Sequence, residues 1–83
     1  MKQLTQYGRM AEKHWRQFCP RMVAALETQG RLHQMLLDAE EQTETELDSL
    51  RRHLIQQGLT PQQAQDRAWG IVRERYLLIP PEH

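Results

Sequence analysis

Eighty-three residues are enough for one domain and too few for two. With 39% apolar, 27% charged and only 6% aromatic residues, the chain can build only a thin core of its own. Eleven Lys and Arg balance eleven Asp and Glu, which excludes a uniformly basic nucleic-acid coat, and a single cysteine excludes an intrachain disulfide framework and a Cys-based zinc site. The longest apolar run, Leu77-Leu78-Ile79, is far too short to span a bilayer. Met1 to Gln6 lacks an apolar signal core, so the expected setting is cytoplasmic, away from membranes.

All periodic stretches carry the helical repeat, and no stretch alternates like a strand. The first helix is expected over about residues 4–18, with Leu4, Tyr7, Met10, Trp15 and Phe18 as its apolar positions. Pro20 disfavours helical geometry at Cys19 and suits the first turn of a second helix, residues 20–29, which ends at Gly30 as a left-handed cap. The third segment, 31–57, contains no Gly or Pro. Its apolar stripe runs Leu32, Leu36, Ala39, Thr43, Leu47, Leu50, Leu54. That spacing averages about 3.67 residues per turn, close to a straight helix and away from the 3.5 of a left-handed coiled coil. At 1.5 Å per residue it makes a rod of roughly 40 Å, whose narrow stripe the shorter helices must cover.

Gly58 ends the rod, and Thr60-Pro61-Gln62-Gln63 is a capping-box start for a fourth helix over 61–78. Gly70 inside that helix costs about 1 kcal/mol relative to Ala, which suggests that another backbone passes close beside Trp69. Pro80-Pro81 cannot continue a helix, so 77–79 leads into an arm packed on the bundle or on a partner, and 80–83 is a tail. The fold class is therefore all-α, a three- to four-helix bundle in one domain (1–79) built around one long central helix.

The neutral total hides a pattern. Met1 to Met35 holds six basic and two acidic residues, Leu36 to Leu50 six acidic and none basic, and Arg51 onward five Arg against three acids. With the stripe facing Thr43, Asp38, Glu41, Glu44 and Asp48 project from the opposite half of the rod at 100° per residue. This is a solvated face or a charged docking surface.

Chemistry is scarce. There is no Gly-rich phosphate loop, no His-Glu-x-x-His and no nucleophile motif. His14 and Cys19 lie across the break at Pro20 with no third group to orient them, and a small packed cysteine is the simpler reading. His14, His33, His53 and His83 form no i, i+4 pair. The rod's carboxylates have no cleft to shift their pKa values. An enzyme, a metal, a cofactor and a small-molecule substrate are not expected.

Binding is expected instead. Leu37 and Ile55 share a lateral direction on the rod, five turns apart and off the stripe, so another helix or a partner must cover them. The expected protein contact uses Leu37, Ile55, Trp69 and the arm residues Leu77 and Ile79, with Glu41, Glu44 and Asp48 steering association. The partner is a second copy of the chain or a nucleic-acid-processing enzyme whose basic channel an acidic rod can occupy, as some small anti-CRISPR inhibitors do. The alternative is DNA. The Leu54–Ile71 stretch partly fits a helix-turn-helix, although His53, Gln57 and Arg67 fall where that motif wants apolar residues. Gln62 and Gln63 would then face bases, and Arg67, Arg73 and Arg75 phosphates.

Gly8-Arg9-Met10, Pro20, Leu26, Gly30-Arg31-Leu32 and Glu41-Gln42 are spaced in a way that resembles the small transposon-encoded TnpV-type proteins, with a further echo in Ala68-Trp69-Gly70-Ile71-Val72. The resemblance covers roughly residues 8–43. Cys19 stands where that family tends to have a basic residue before the proline, Arg31 replaces Lys, and the stretch between the rod and the last helix is shorter. The resemblance implies a mobile-element origin and an accessory role around excision or transposition, with no activity to carry onto particular residues.

Overall fold

The computed structural model describes residues 3–82, so Met1, Lys2 and His83 lie outside the described residues. Four helices follow in order: α1 (Gln6–Phe18), α2 (Pro20–Thr28), α3 (Leu32–Gln56) and α4 (Pro61–Tyr76). Among the described residues there is no strand, and no helix is long and apolar enough to cross a membrane. The all-α bundle is built on a central rod of 25 residues, about 37 Å long.

The helix ends are set by local chemistry. Gly30 (φ 69°) and Gly58 (φ 106°) are left-handed. At each, the glycine amide donates to the carbonyl three residues back (Glu27, Ile55), and the following amide to the carbonyl five back (Leu26 from Arg31, Leu54 from Leu59). That pair of bonds is a Schellman closure, which a residue with a Cβ enters only under strain. Thr60 Oγ1 accepts from Gln63 N at 3.2 Å and the Gln63 side chain accepts from Thr60 N at 3.0 Å, which completes the capping box.

Two small cores share the rod. At its N-terminal half, Trp15, Val23, Leu26 and Leu77 close over Leu32 and Leu36. Toward its C-terminal end, Ala64 and Ala68 of α4 pack on Leu47 and Leu54. Thr43 lies fully buried on the stripe, its hydroxyl satisfied by donating to the Ala39 carbonyl at 2.7 Å. Trp69 packs against both cores and sits 5.4 Å, centroid to centroid, from the Tyr7 ring. Arg51 reaches Gln65 while Glu46 reaches Tyr76, so α4 runs antiparallel to α3.

The start of α1 is held by a carboxylate from the rod. Glu40 is 3% exposed. Its Oε2 accepts from Thr5 N (2.9 Å), Thr5 Oγ1 (2.8 Å) and Gly8 N (3.1 Å). The helix N-terminus offers free amides and a positive dipole end, which is what a buried carboxylate needs. Gly8 makes room for it: a Cβ there would lie 2.5 Å from Oε2 and 2.8 Å from Leu4 Cδ2.

Gly70 is the reverse case. A Cβ at that position meets no atom within 4 Å, so the close backbone approach expected from the sequence does not exist. The helical cost at Gly70 goes uncompensated by packing.

After Tyr76 the chain turns back as an arm across α1 and α2. Trp15 Nε1 donates to the Leu77 carbonyl at 3.0 Å, His14 Nε2 to the Ile79 carbonyl at 2.8 Å, and Cys19 Sγ to the Pro80 carbonyl at 3.4 Å. Glu82 then caps α2, its two carboxylate oxygens accepting from Arg21 N and Met22 N, each at 2.9 Å. The tail from Pro80 to Glu82 is thus docked on the domain. Cys19, the residue at the α2 N-cap, supplies no side-chain cap of its own, and Glu82 takes that role from 63 positions along the chain.

The assembly is thin, with extents of 46 × 32 × 15 Å and a radius of gyration of 14.3 Å. A compact domain of this length would have a radius near 12 Å, by a scaling of about 2.2·N^0.38. Its surface of 5829 Å² also exceeds the roughly 5200 Å² expected for this mass. The rod's flanks stay open to solvent.

Candidate docking groove

Along one flank, α3 and the second half of α4 leave an open groove in two connected parts that share Glu46. One part, of about 460 Å³, is lined by Glu46, Ser49, Leu50, His53, Ile71 and Arg75. The other, of about 380 Å³, is lined by Asp38, Glu41, Gln42, Thr45, Glu46 and Tyr76. The first has an apolar floor in half-buried Leu50 and Ile71, the latter 41% exposed. The second is acidic.

Glu46 sits at the waist. Its Oε1 accepts from the Tyr76 hydroxyl at 2.7 Å and its Oε2 from Arg75 Nη1 at 3.0 Å. The phenol bond, with the guanidinium beside it, holds the Glu46 carboxyl below its ordinary range. The same bond to a carboxylate pushes the Tyr76 phenol up, with partial desolvation adding to it. Asp38 accepts from Gln34 Nε2 at 2.9 Å and forms no ion pair among the described residues, and Glu41 is exposed. Three carboxylates therefore face one guanidinium in the groove.

The expected contact residues are only partly brought together. Glu41 lines the groove, and Glu44 is exposed elsewhere on the rod. Asp48 is neutralised by Arg51 (2.9 Å) and Arg52 (2.7 Å), so it adds little net field. Leu37 is half-buried, and Ile55 is 39% exposed with no helix of the chain over it. One expectation needs correction. Leu77 is completely buried beneath α1 and cannot meet a partner. Trp69 is half-buried as the bridge between the two cores, where its ring packs on Tyr7. Ile79 is half-buried and packed on the first core.

The residues proposed to meet DNA are mostly engaged within the chain. Gln62 donates to Asp66 at 3.0 Å, and Gln63 closes the capping box. Arg75 is paired with Glu46 at 3.0 Å. Arg73 is half-buried, with its Nε enclosed and without a hydrogen-bond partner. Arg67 alone of the set is exposed and makes no ion pair among the described residues.

Cys19 is buried, and desolvation pushes its thiol up, the neighbouring Glu82 carboxylate acting in the same sense. That is the opposite of nucleophile activation. Among the described residues, no group of three or more His, Cys, Asp or Glu side chains is placed to hold a metal ion.

Glu46 and Tyr76 are the residues that sequence reasoning missed. Glu46 falls 60° to the side of the stripe's centre at 100° per residue. An acid at the edge of an apolar stripe is a signal for a cross-helix partner, and Arg75-Tyr76 near the end of the next helix supplied two candidates. No family model matches the chain, and no curated protein or solved structure matches it at a significant level.

Proposed function

We propose that this chain is a non-catalytic accessory protein of a mobile element that works by binding a protein partner, modulating or blocking a nucleic-acid-processing complex. The observation that carries the reading is the groove between α3 and α4: Asp38 and Glu41, without an ion pair among the described residues, at one end, and Leu50 and Ile71 at the other. Apolar surface next to same-sign charge suits an amphipathic basic segment, with the charge governing approach and the apolar floor slowing departure. Nucleic-acid enzymes present such basic segments because they must bind phosphate. The resemblance of residues 8–43 to transposon-encoded small proteins supports a partner from the same setting.

The test is capture of partners from the native host on the immobilised chain, with and without nuclease, repeated with a D38K/E41K variant. The expected result is a defined protein retained after nuclease and lost with the variant. Retention that disappears entirely with nuclease would point to the arginines of α4 and to DNA, and retention indifferent to the charge reversal would remove the groove from the reading.

A further inference from the structure

The groove's chemistry has a counterpart on the same molecule. The outer face of α1 carries Gln6, Arg9, Met10, Lys13 and Gln17, all exposed. Arg9 and Lys13 stand one helical turn apart and make no ion pair among the described residues, whereas Arg16, on the flank, is tied to Glu12 (2.8 Å) and Glu27 (3.5 Å). Met10 lies on the same exposed side, flanking Lys13 at about 60° around the helix, and is 37% exposed, one of the few large apolar side chains left in water. Asp38 and Glu41 are likewise one turn apart, with the Tyr76 ring beside them. Two cations flanked by a thioether thus match two carboxylates beside an aromatic ring, and sulfur–aromatic contact is itself favourable.

The ridge cannot fill its own groove. Gly8, Ala11 and Trp15 are buried on the inner face of α1, and Arg9 and Lys13 lie more than 100° around the helix from Trp15 at 100° per residue. Among the described residues, no ion pair is made by Arg9 and Lys13 on the ridge or by Asp38 and Glu41 in the groove.

We propose that a second copy of this chain docks its Arg9–Met10–Lys13 ridge into the Asp38–Glu41–Tyr76 end of the groove. The contact joins two different surfaces, so it is head-to-tail and repeats into rings or chains and does not close as a two-fold dimer. Charge complementarity supports it: Arg9 and Lys13 stand one turn apart on one surface, as Asp38 and Glu41 do on the other. The inference rests on the reading of the groove as a docking surface and names its occupant when no other partner is present.

The experiment is sedimentation of the whole chain over a concentration series, at low and high salt, with two charge-reversed variants: R9E/K13E and D38K/E41K. The parent should sediment as more than one copy and dissociate as salt rises. Each variant alone should sediment as a monomer, and mixing the two should restore assembly, because one keeps the acidic groove and the other the basic ridge. Circular dichroism confirms that each is folded, and Glu41→Lys alone replaces the groove variant if the double change unfolds it. A parent that stays monomeric up to about 1 mM, where even weak contacts of a few kcal/mol populate, overturns the proposal. So does a mixture that fails to reassemble. If the parent is monomeric while D38K/E41K still loses its captured partner, self-docking falls and the groove reading stands; if both are indifferent to charge, both fall.

Discussion

Replacing Gly8 with alanine puts a methyl group where the Glu40 carboxylate now lies. In an exposed helix the change would stabilise by up to about 1 kcal/mol. Here the new Cβ would stand 2.5 Å from Glu40 Oε2, with Leu4 Cδ2 at 2.8 Å. The carboxylate must withdraw, and Oε2 accepts three hydrogen bonds that fix the α1 start. Hydrogen bonds to a charged group are worth about 1.5–3 kcal/mol each. Loss of one to two of them, less the gain in propensity, leaves a net destabilisation of about 0.5–5 kcal/mol. The assay is urea unfolding followed by circular dichroism, where a lower midpoint at unchanged slope reports stability alone. Gly70→Ala in the same assay is the internal control. Its Cβ enters open space, so the ordinary gain of about 1 kcal/mol should appear, a rise of roughly 4–8 °C in thermal midpoint. Gly8→Ala as stable as the parent would refute the account of Glu40 as a tightly fitted cap.

The other expectations concern the arm and the waist of the groove. Glu82→Ala removes the two bonds that cap α2, and should cost about 1 kcal/mol in thermal stability and speed hydrogen exchange at Arg21 and Met22; unchanged exchange there would detach the tail from α2. Cys19, buried with its thiol pushed up, should react with a thiol reagent only as fast as the arm opens, so that the rate rises sharply in mild denaturant; immediate labelling of the folded chain contradicts the packing. The Glu46–Tyr76 bond makes stability depend on pH at both ends of the scale. Glu46 titrates below its usual 4.5 in the fold, so its contribution is present above that value and lost as pH falls through the lowered one. Tyr76 titrates above its usual 10.0, so its contribution is present below that value and lost as pH rises through the raised one. Tyr76→Phe should therefore flatten the stability profile on both flanks; a profile that keeps its shape would show the bond to be without effect.

Much of the architecture was legible because its signals are local. Pro20, Gly30, Gly58 and Thr60-Pro61 each act within a turn of themselves, and they placed every helix boundary to within about two residues. What required folding to be seen is long-range. Glu40 lies in an acidic run and reads as one more solvated carboxylate, yet it is the deepest acid in the molecule, because the α1 start happens to arrive at its side of the rod 35 positions earlier in the chain. Gly70 invited a packing explanation that the structure does not contain. Leu77 looked available for a partner because nothing in its neighbourhood reveals that the arm folds under α1. The candidate groove was half visible: Glu41 belongs to the pattern of the rod, but its apolar end needed α4 to be laid antiparallel, which pairs Leu50 with Ile71.

The division of the rod between two separate cores has a mechanical meaning. At the half nearest the chain's last residues, the returning segment is bolted to α1 and α2 at three points: Leu77 to Trp15, Pro80 to Cys19, and Glu82 to Arg21 and Met22. The hairpin half is closed by Ala64 and Ala68 against Leu47 and Leu54, with Tyr7, Leu50, Leu59 and Trp69 packed around them. One half is thus secured by hydrogen bonds from a segment far along the chain and the other by apolar packing between neighbouring helices, and the groove spans both means of fastening.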